Sequence, residues 1–184
     1  MYKRLEEILK KSNGNIFTVC LDDKLLDILK NKENINLYSL SSNDSDSIFG
    51  LGIRKKNKPK YKKNNKGKTI NIKKIRKEIN KKSVNYTFCN MDEIFTYYKH
   101  FIRDSIYMTD GKIYLYFSKN IDKNFIISRY QRYNVKIKDT EYKTGFIIEI
   151  DSKGVKNKFF KEKVYFIIDT FYNIADFIGN IMIS

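Results

Sequence analysis

The sequence contains very little cysteine, histidine, proline and tryptophan. Its 184 residues include two cysteines, one histidine, one proline and no tryptophan. Two cysteines cannot build a disulfide framework, and Cys20 and Cys89 both lie in apolar runs that predict strands, where a thiol usually behaves as a small buried hydrophobic group. The single histidine, His100, cannot supply the several ligands that a zinc site needs, so we expect no metal site there.

Long apolar runs are absent as well. No stretch has the roughly 20 consecutive apolar residues that a membrane-spanning helix requires. The first residues, MYKRLEE, are charged and lack the apolar centre of a secretory signal. We therefore expect a chain without a transmembrane segment, located in a reducing cytoplasm.

The composition nevertheless predicts a folded protein. Hydrophobic residues make up 41% of the chain and aromatic residues 15%, which is enough apolar surface to offset the entropy lost on folding. A length of 184 residues is typical of one domain. Residues 1–184 are therefore predicted to form a single α/β domain.

Basic residues are both abundant and concentrated. The chain has 37 Lys and Arg against 21 Asp and Glu, a net charge of +16. An AT-rich coding bias can raise the lysine total without selection on function, but it does not predict clustering. Residues 54–82, named the basic segment below, hold 15 bases and one acid, which leaves 22 bases and 20 acids elsewhere. Such a concentrated charge attracts polyanions, and nucleic acid is the one we expect.

Hydrophobic periodicity predicts alternating helices and strands. The predicted helices span residues 2–11, 22–31, 69–82, 91–103, 122–132 and 158–181, and the predicted strands span 16–21, 35–40, 84–89, 112–117, 135–139 and 144–151. This order is typical of a Rossmann-like three-layer sandwich. Strands 84–89 and 112–117 should be adjacent, central and parallel, joined through helix 91–103. Asp110-Gly111, just before the second of them, is either a tight hairpin turn or the corner that leads into the strand.

Three segments interrupt or extend this alternation. Residues 41–68 contain a Ser/Asn/Asp cluster, nine bases and the only proline, which predicts an exposed polar and basic insertion or linker. Residues 69–82 have isoleucines at helical spacing among lysines and arginines, which predicts a helix with a basic face. Residues 158–181 predict a long amphipathic helix that packs either on its own domain or on a second copy as a homodimer.

The basic segment is the predicted nucleic-acid interface. Lysine and arginine contact phosphates without reading the sequence, and Tyr61 can stack on a base. We expect RNA to be preferred over DNA only slightly. A solvated face and an anionic membrane partner remain the alternatives. The residues predicted to bind nucleic acid are Arg54, Lys55, Lys56, Lys58, Lys60, Tyr61, Lys62, Lys63, Lys66, Lys68, Lys73, Lys74, Arg76, Lys77 and Lys81.

The order of elements over residues 16–151 resembles the second half of a class I S-adenosylmethionine-dependent methyltransferase. Cys89-Asn90-Met91-Asp92 falls where that family often places a substrate-side loop, and Asp110-Gly111-Lys112-Ile113-Tyr114 falls where its fifth strand begins. The resemblance implies S-adenosylmethionine as the cofactor, nucleic acid as the methyl acceptor and Asn90 as a catalytic candidate. The family's first strand ends in a glycine-rich turn, whereas residues 19–23 contain no glycine. Asn90 is also predicted to cap the helix that follows it.

A second catalytic pattern lies near the end of the chain. Asp139, Asp151 and Lys153, with Glu149 between them, resemble the metal-binding arrangement of restriction-endonuclease-like nucleases. Two carboxylates near a strand pair would hold Mg²⁺, and the lysine would orient or activate water. The alternative is that these residues line an exposed strand end. The sequence therefore leaves open whether the protein is an enzyme.

The basic segment yields a prediction about salt. If roughly five to eight of its cations contact phosphates, the logarithm of the affinity for duplex should fall with the logarithm of salt concentration by about 0.9 per contact. Changing Lys73, Lys74, Arg76 and Lys77 to glutamine keeps good helix formers and should make that slope shallower while leaving stability unchanged. Fluorescence anisotropy across a salt series measures the slope. Absence of binding to RNA and DNA at about 50 mM salt would contradict the prediction.

Overall fold

The computed structural model describes residues 1–33, 35–40, 79–94, 98–118 and 120–155. The predicted insertion 41–68, most of the basic segment and the predicted terminal helix 158–181 lie outside the described residues. These predictions, and with them the single domain and the homodimer, stay predictions.

Helices and strands alternate along the described residues, largely as the periodicity predicts. The elements are α1 (Tyr2–Lys11), β1 (Gly14–Val19), α2 (Asp23–Lys30), β2 (Ile35–Leu40), β3 (Val84–Asn90), α3 (Met91–Ile94), α4 (Tyr98–Met108), β4 (Thr109–Phe117), α5 (Lys123–Gln131), β5 (Lys136–Tyr142) and β6 (Gly145–Asp151). Helix α4 continues five residues beyond the predicted end at residue 103. Asp110-Gly111 lies within β4, directly after that helix, so it is the corner into the strand and not a hairpin turn.

The strands form one sheet in the order β2-β1-β3-β4-β6-β5. Strands β2, β1, β3 and β4 pair in parallel, whereas β6 lies antiparallel between β4 and β5. The adjacent, parallel arrangement of β3 and β4 around α3 and α4 confirms the predicted crossover. The fold is therefore a Rossmann-like α/β sandwich.

Side chains on the two faces of the sheet form two separate apolar layers. On one face, Leu5 and Leu9 of α1 and Leu25 and Leu29 of α2 pack against residues such as Phe88. On the other face, α3, α4 and α5 contribute Met91, Ile94, Phe101, Ile102, Ile106, Ile126 and Tyr130. Helices thus cover both faces, which is why the central strands are apolar along most of their length.

Exposure differs sharply between the centre of the sheet and its β5 edge. The last five residues of β4, Ile113–Phe117 in sequence, are all buried, whereas β5 has the sequence KIKDTEY and each of its residues is exposed or partly buried. Charged side chains on an edge strand discourage pairing with another chain.

Among the described residues, no helix has the length and apolar character needed to cross a membrane.

The pairing of β3 with β4 contains an irregularity that requires glycine. Val84 pairs with Thr109 but Tyr86 pairs with Lys112, so β4 has one extra residue at this point. A side chain at Gly111 would overlap the backbone carbonyl of Asn85, which cannot move without separating the two strands. The close approach of the two backbones therefore requires glycine at position 111.

We expect Gly111→Ala to destabilise the protein by about 1–3 kcal/mol, the usual cost of overpacking. Urea unfolding monitored by circular dichroism measures the change. Lys138→Ala, at an exposed position on the edge strand β5, is the control and should change stability by less than about 0.5 kcal/mol. Equal effects of the two variants would show that β3 and β4 can accommodate the added methyl group.

Candidate active site at the carboxyl edge of the sheet

The sheet topology defines one position where a ligand is expected to bind. The chain passes from β1 to β2 on one side and later enters β3 on the other side of β1. This reversal is a topological switch point, and ligands of open α/β sheets bind outside the carboxyl ends of the strands there. The switch-point site is defined here as the carboxyl ends of β1, β3 and β4 together with the first turns of α2 and α3.

The turn between β1 and α2 forms one side of this site. Cys20 has a left-handed backbone with φ of 52°, a conformation that glycine adopts most readily. Its side chain is 4% exposed and belongs to the layer beneath α3 and α4, so it does not occupy the space outside the sheet. Asp22 then precedes the first residue of α2 as its N-cap, although its carboxylate makes no capping hydrogen bond there. That carboxylate remains available to other partners in the site.

The start of α3 forms the opposite side. The side chain of Asn90, 7% exposed, accepts a hydrogen bond from the backbone N–H of Asp92 at 3.2 Å, which confirms its predicted capping position. The Asp92 carboxylate accepts a hydrogen bond from the backbone N–H of Ser118 at 2.8 Å and another from the Ser118 hydroxyl at 3.0 Å. These bonds connect the end of β3 to the end of β4. Asn90 and Asp92 therefore hold this side of the site in shape.

Two tyrosines reach the Asp22 carboxylate from different elements. The Tyr116 hydroxyl, at the end of β4, donates to Asp22 across 3.4 Å. The Tyr2 ring lies 6.3 Å from the Tyr116 ring in an edge-to-face arrangement. Burial first, then the hydrogen bond to Asp22, and then the charges of Asp22 and Asp92 raise the pKa of Tyr2 above its usual value. Burial and the charge of Asp22 likewise raise the pKa of Tyr116. Both hydroxyls are therefore protonated donors at neutral pH.

The switch-point site is acidic although the whole chain is strongly basic. The first turn of α2 holds Asp23 and Lys24 beside its N-cap Asp22, and the first turn of α3 holds Asp92 and Glu93, which gives four carboxylates against one ammonium group. These four carboxylates lie at one edge of a protein whose net charge is +16. Negative charge here favours a ligand with a positive group and disfavours phosphate. The basic segment and this site are thus suited to different ligands.

Solved structures with the same fold were found over most of the chain. A S-adenosylmethionine-dependent methyltransferase from Aquifex aeolicus aligns with a TM-score of 0.52 at 10% identity, covering 81% of this chain and 87% of that protein. A putative S-adenosyl-L-methionine-dependent methyltransferase from Methanococcus maripaludis aligns with a TM-score of 0.51 at 12% identity, covering 83% and 85%. No family model and no curated protein matches the sequence. The chain therefore has a class I methyltransferase-like Rossmann fold.

The residues of the switch-point site are compatible with S-adenosylmethionine, the cofactor of these structural neighbours. The molecule carries a sulfonium and an ammonium group, and four carboxylates lie in the N-cap and first turns of α2 and α3, at the edge of the sheet where the topology expects a ligand. The turn at Cys20 keeps a left-handed backbone without glycine and buries its side chain away from the crevice. Asp22 is the carboxylate best placed to hold a cationic group, because its other contacts are to neutral hydroxyls.

The structure does not bring together the residues of the nuclease pattern. Asp139 pairs with Ile148 and so lies on the α5 face of the sheet, where its carboxylate accepts a bond from Lys123 at 2.8 Å. Glu149 and Asp151 occupy alternate positions of β6 and lie on the opposite face, the one covered by α1. Lys153 follows in a turn, where its backbone N–H donates to Asp151. Within the described residues, no group of three or more potential ligands is close enough to hold a metal ion.

The described part of the basic segment is its last four residues, 79–82. Lys81 is exposed, but the Lys82 ammonium donates to the carbonyls of Thr109 at 2.8 Å and Ser152 at 3.0 Å. Burial lowers the pKa of Lys82. Lys82 therefore connects the start of β4 to the end of β6 and belongs to the fold, whereas the other predicted nucleic-acid contacts, from Arg54 to Lys77, lie outside the described residues.

Sequence reasoning missed Tyr2, Tyr116 and Ser118. Tyr116 and Ser118 stand at the end of an apolar strand, a position that the topological rule marks as functional. Tyr2 gives no such signal, because its place beside Asp22 depends on how α1 packs on the sheet. Only the three-dimensional arrangement identifies it.

We expect Asp92→Ala to lower stability by about 1.5–3 kcal/mol, because the bonds from Ser118 to a charged acceptor are lost. Glu93→Ala is a matched control, since Glu93 is an exposed acid in the same helical turn and its loss should cost less than about 1 kcal/mol. Thermal unfolding of both variants gives the comparison. If the two melt alike, the bond between Asp92 and Ser118 does not hold the site together.

Proposed function

We propose that the protein is a divergent S-adenosylmethionine-dependent methyltransferase that acts on nucleic acid. The observation that carries the proposal is the acidic switch-point site in a methyltransferase-like fold. Bound S-adenosylmethionine supplies the methyl group. The chain's own residues bind and orient the reactants: Asp22 holds a cationic group, and Asn90 and Asp92 maintain the wall on the α3 side.

The acceptor is proposed from the charge distribution. The basic segment contains nearly all of the excess positive charge and favours a polyanion. Phosphates contact this segment rather than the four carboxylates, while a base extends toward the site. An unpaired base reaches such a site at lower cost than a paired one, which favours single-stranded regions. RNA is placed slightly ahead of DNA as the acceptor.

A second function is favoured by the turn after β1. Residues 19–23 contain no glycine, although backbone approach to a cofactor at this turn usually depends on it. A chain that has lost the cofactor would bind nucleic acid through the basic segment without catalysing a reaction. Cofactor binding separates this function from the first.

The wild-type protein should bind S-adenosylmethionine in isothermal titration calorimetry, with a dissociation constant of about 1 mM or tighter, the upper end of typical KM values. Asp22→Asn should weaken binding about tenfold or more, because hydrogen bonds to a charged acceptor contribute roughly 1.5–3 kcal/mol. Transfer of a tritiated methyl group to RNA and DNA oligonucleotides then identifies the acceptor.

Asp139→Asn is the matched control for that experiment. It removes the same charge from the other face of the sheet and should leave cofactor affinity unchanged. Absence of measurable binding by the wild-type protein at several times this concentration would overturn the methyltransferase proposal and leave the non-catalytic function. Equal losses in Asp22→Asn and Asp139→Asn would show that total charge matters and that the switch-point site does not.

A further inference from the structure

A groove runs between α1 and the sheet, on the face that α1 covers. Its helix wall includes Arg4, Glu7 and Lys11, and its floor includes Tyr86, Lys112 and Tyr114. The groove has a volume of about 210 Å³ and is open to solvent. This is smaller than the roughly 300–1,000 Å³ of pockets that enclose drug-sized ligands, so it suits one ring system with its remainder outside. We call it the α1 groove.

Aromatic rings form the floor of the α1 groove. Tyr86 stacks on Phe88 with ring centroids 6.4 Å apart, and Phe88 stacks on Tyr114 at 5.2 Å. Phe88 and Tyr114 are buried, whereas Tyr86 is half-buried at the end of the series. A planar ligand in the groove therefore meets Tyr86 as an aromatic surface already fixed by packing.

Charged side chains line the groove above this floor. Arg4 pairs with Glu7 at 3.1 Å, and Lys112 pairs with Glu149. The side chains of Arg4 and Lys112 are 52% and 45% exposed, and pairs of this kind contribute little stability, so a phosphate can replace the carboxylate. Lys11 is also exposed and gives the groove one more cation than acid.

The hydroxyl of Tyr114 adds a donor. Burial, followed by the charge of Glu149, raises the pKa of Tyr114 to about 12, so this hydroxyl stays protonated at neutral pH. A planar aromatic surface, exposed cations and a neutral donor together match the three parts of a nucleotide: its base, its phosphate and its polar edges.

We propose that the α1 groove is a subsite for single-stranded nucleic acid. An unpaired base stacks against Tyr86, and the flanking phosphates contact Lys11 and Lys112. In a duplex, stacking on the neighbouring base pairs covers both faces of each base, so duplex cannot occupy the groove in this way. The interaction is independent of sequence because every base has an aromatic face.

The location of the groove connects it to both parts of the proposed function. Helix α1 begins at Tyr2, beside Asp22 of the switch-point site, and runs toward the end of the sheet where β3 begins. The described end of the basic segment, at Lys82, lies directly before β3. Tyr86 and Asn90 are four residues apart on β3, about 13 Å along an extended strand. A few nucleotides span that distance, so a strand held in the groove can extend to the site.

The test uses the full chain and a fluorescein-labelled oligo(U) of about ten nucleotides, with binding followed by anisotropy at about 50 mM salt. Tyr86→Leu keeps an apolar side chain but removes the ring, and should weaken binding about tenfold, as expected for the loss of one stacked base. Tyr86→Phe should bind like wild type. Lys11→Gln should make the salt slope shallower by about 0.7.

Tyr142→Leu is the matched control, because Tyr142 packs on the same apolar layer from the edge strand β5 and does not line the groove. It should leave oligo(U) binding unchanged. A duplex of the same length provides a second control, since its affinity should not change in Tyr86→Leu. Circular dichroism of each variant checks folding.

Several outcomes would overturn the proposal. One is unchanged oligo(U) affinity in both Tyr86→Leu and Lys11→Gln. Another is an equal loss for single strand and duplex in Tyr86→Leu. A third is stronger binding of phosphatidylserine vesicles than of oligo(U), lost in Lys11→Gln, which would assign the groove to an anionic membrane.

The inference rests on the nucleic-acid acceptor of the proposed function but not on its cofactor. Titration of each groove variant with S-adenosylmethionine keeps the two apart: cofactor affinity should be unchanged in Tyr86→Leu. A wild-type chain that binds oligo(U) through Tyr86 but no cofactor would support the groove and overturn the methyltransferase. A wild-type chain that binds cofactor, with oligo(U) affinity unchanged in every groove variant, would support the methyltransferase and overturn the groove.

Discussion

The parallel pairing of β3 with β4 is the contact on which the remaining structure depends. Both strands are covered by helices, and the close approach of Asn85 to Gly111 sets their register. That register places Asn90 beside Tyr116 at the carboxyl edge and Tyr86 beside Lys112 four residues earlier. The switch-point site and the α1 groove are therefore two ends of the same strand pair. A change that shifted the register would alter both.

Charge is distributed unevenly over this framework, and the distribution follows from chain topology. Carboxylates cluster where α2 and α3 begin, since negative groups are favoured at the first turn of a helix. These helices begin at the carboxyl ends of β1 and β3, so the same preference that stabilises them makes the switch-point site acidic. The basic segment lies between β2 and β3 in the chain. One chain thus combines a site for a cationic ligand with a segment suited to phosphates.

Several polar residues stabilise the strands that form the switch-point site and the α1 groove. Asp92 joins the ends of β3 and β4 through Ser118, while Lys82 and Ser152 join the opposite end through backbone carbonyls. The Ser152 hydroxyl donates to the Thr109 and Gly111 carbonyls at 3.0 and 2.9 Å. The carboxyl edge of the central strands is thereby held by exposed hydrogen bonds and the opposite edge by buried or partly buried ones, and the residues exposed between them remain available for ligands.

The sequence by itself determined the alternation of helices and strands, the adjacency of β3 and β4 and the cap at Asn90, because periodicity, chain order and capping are local properties. It also indicated the class of fold. Only the tertiary structure decided that Asp139 lies on the opposite face from Glu149 and Asp151, since the register between β5 and β6 sets which side chains share a face. Likewise, Tyr2 meets Asp22 and Tyr116, and Arg4 and Lys11 face Tyr86, only because α1 packs across strands that follow it far along the chain. Such contacts join residues distant in sequence, and no local pattern encodes them.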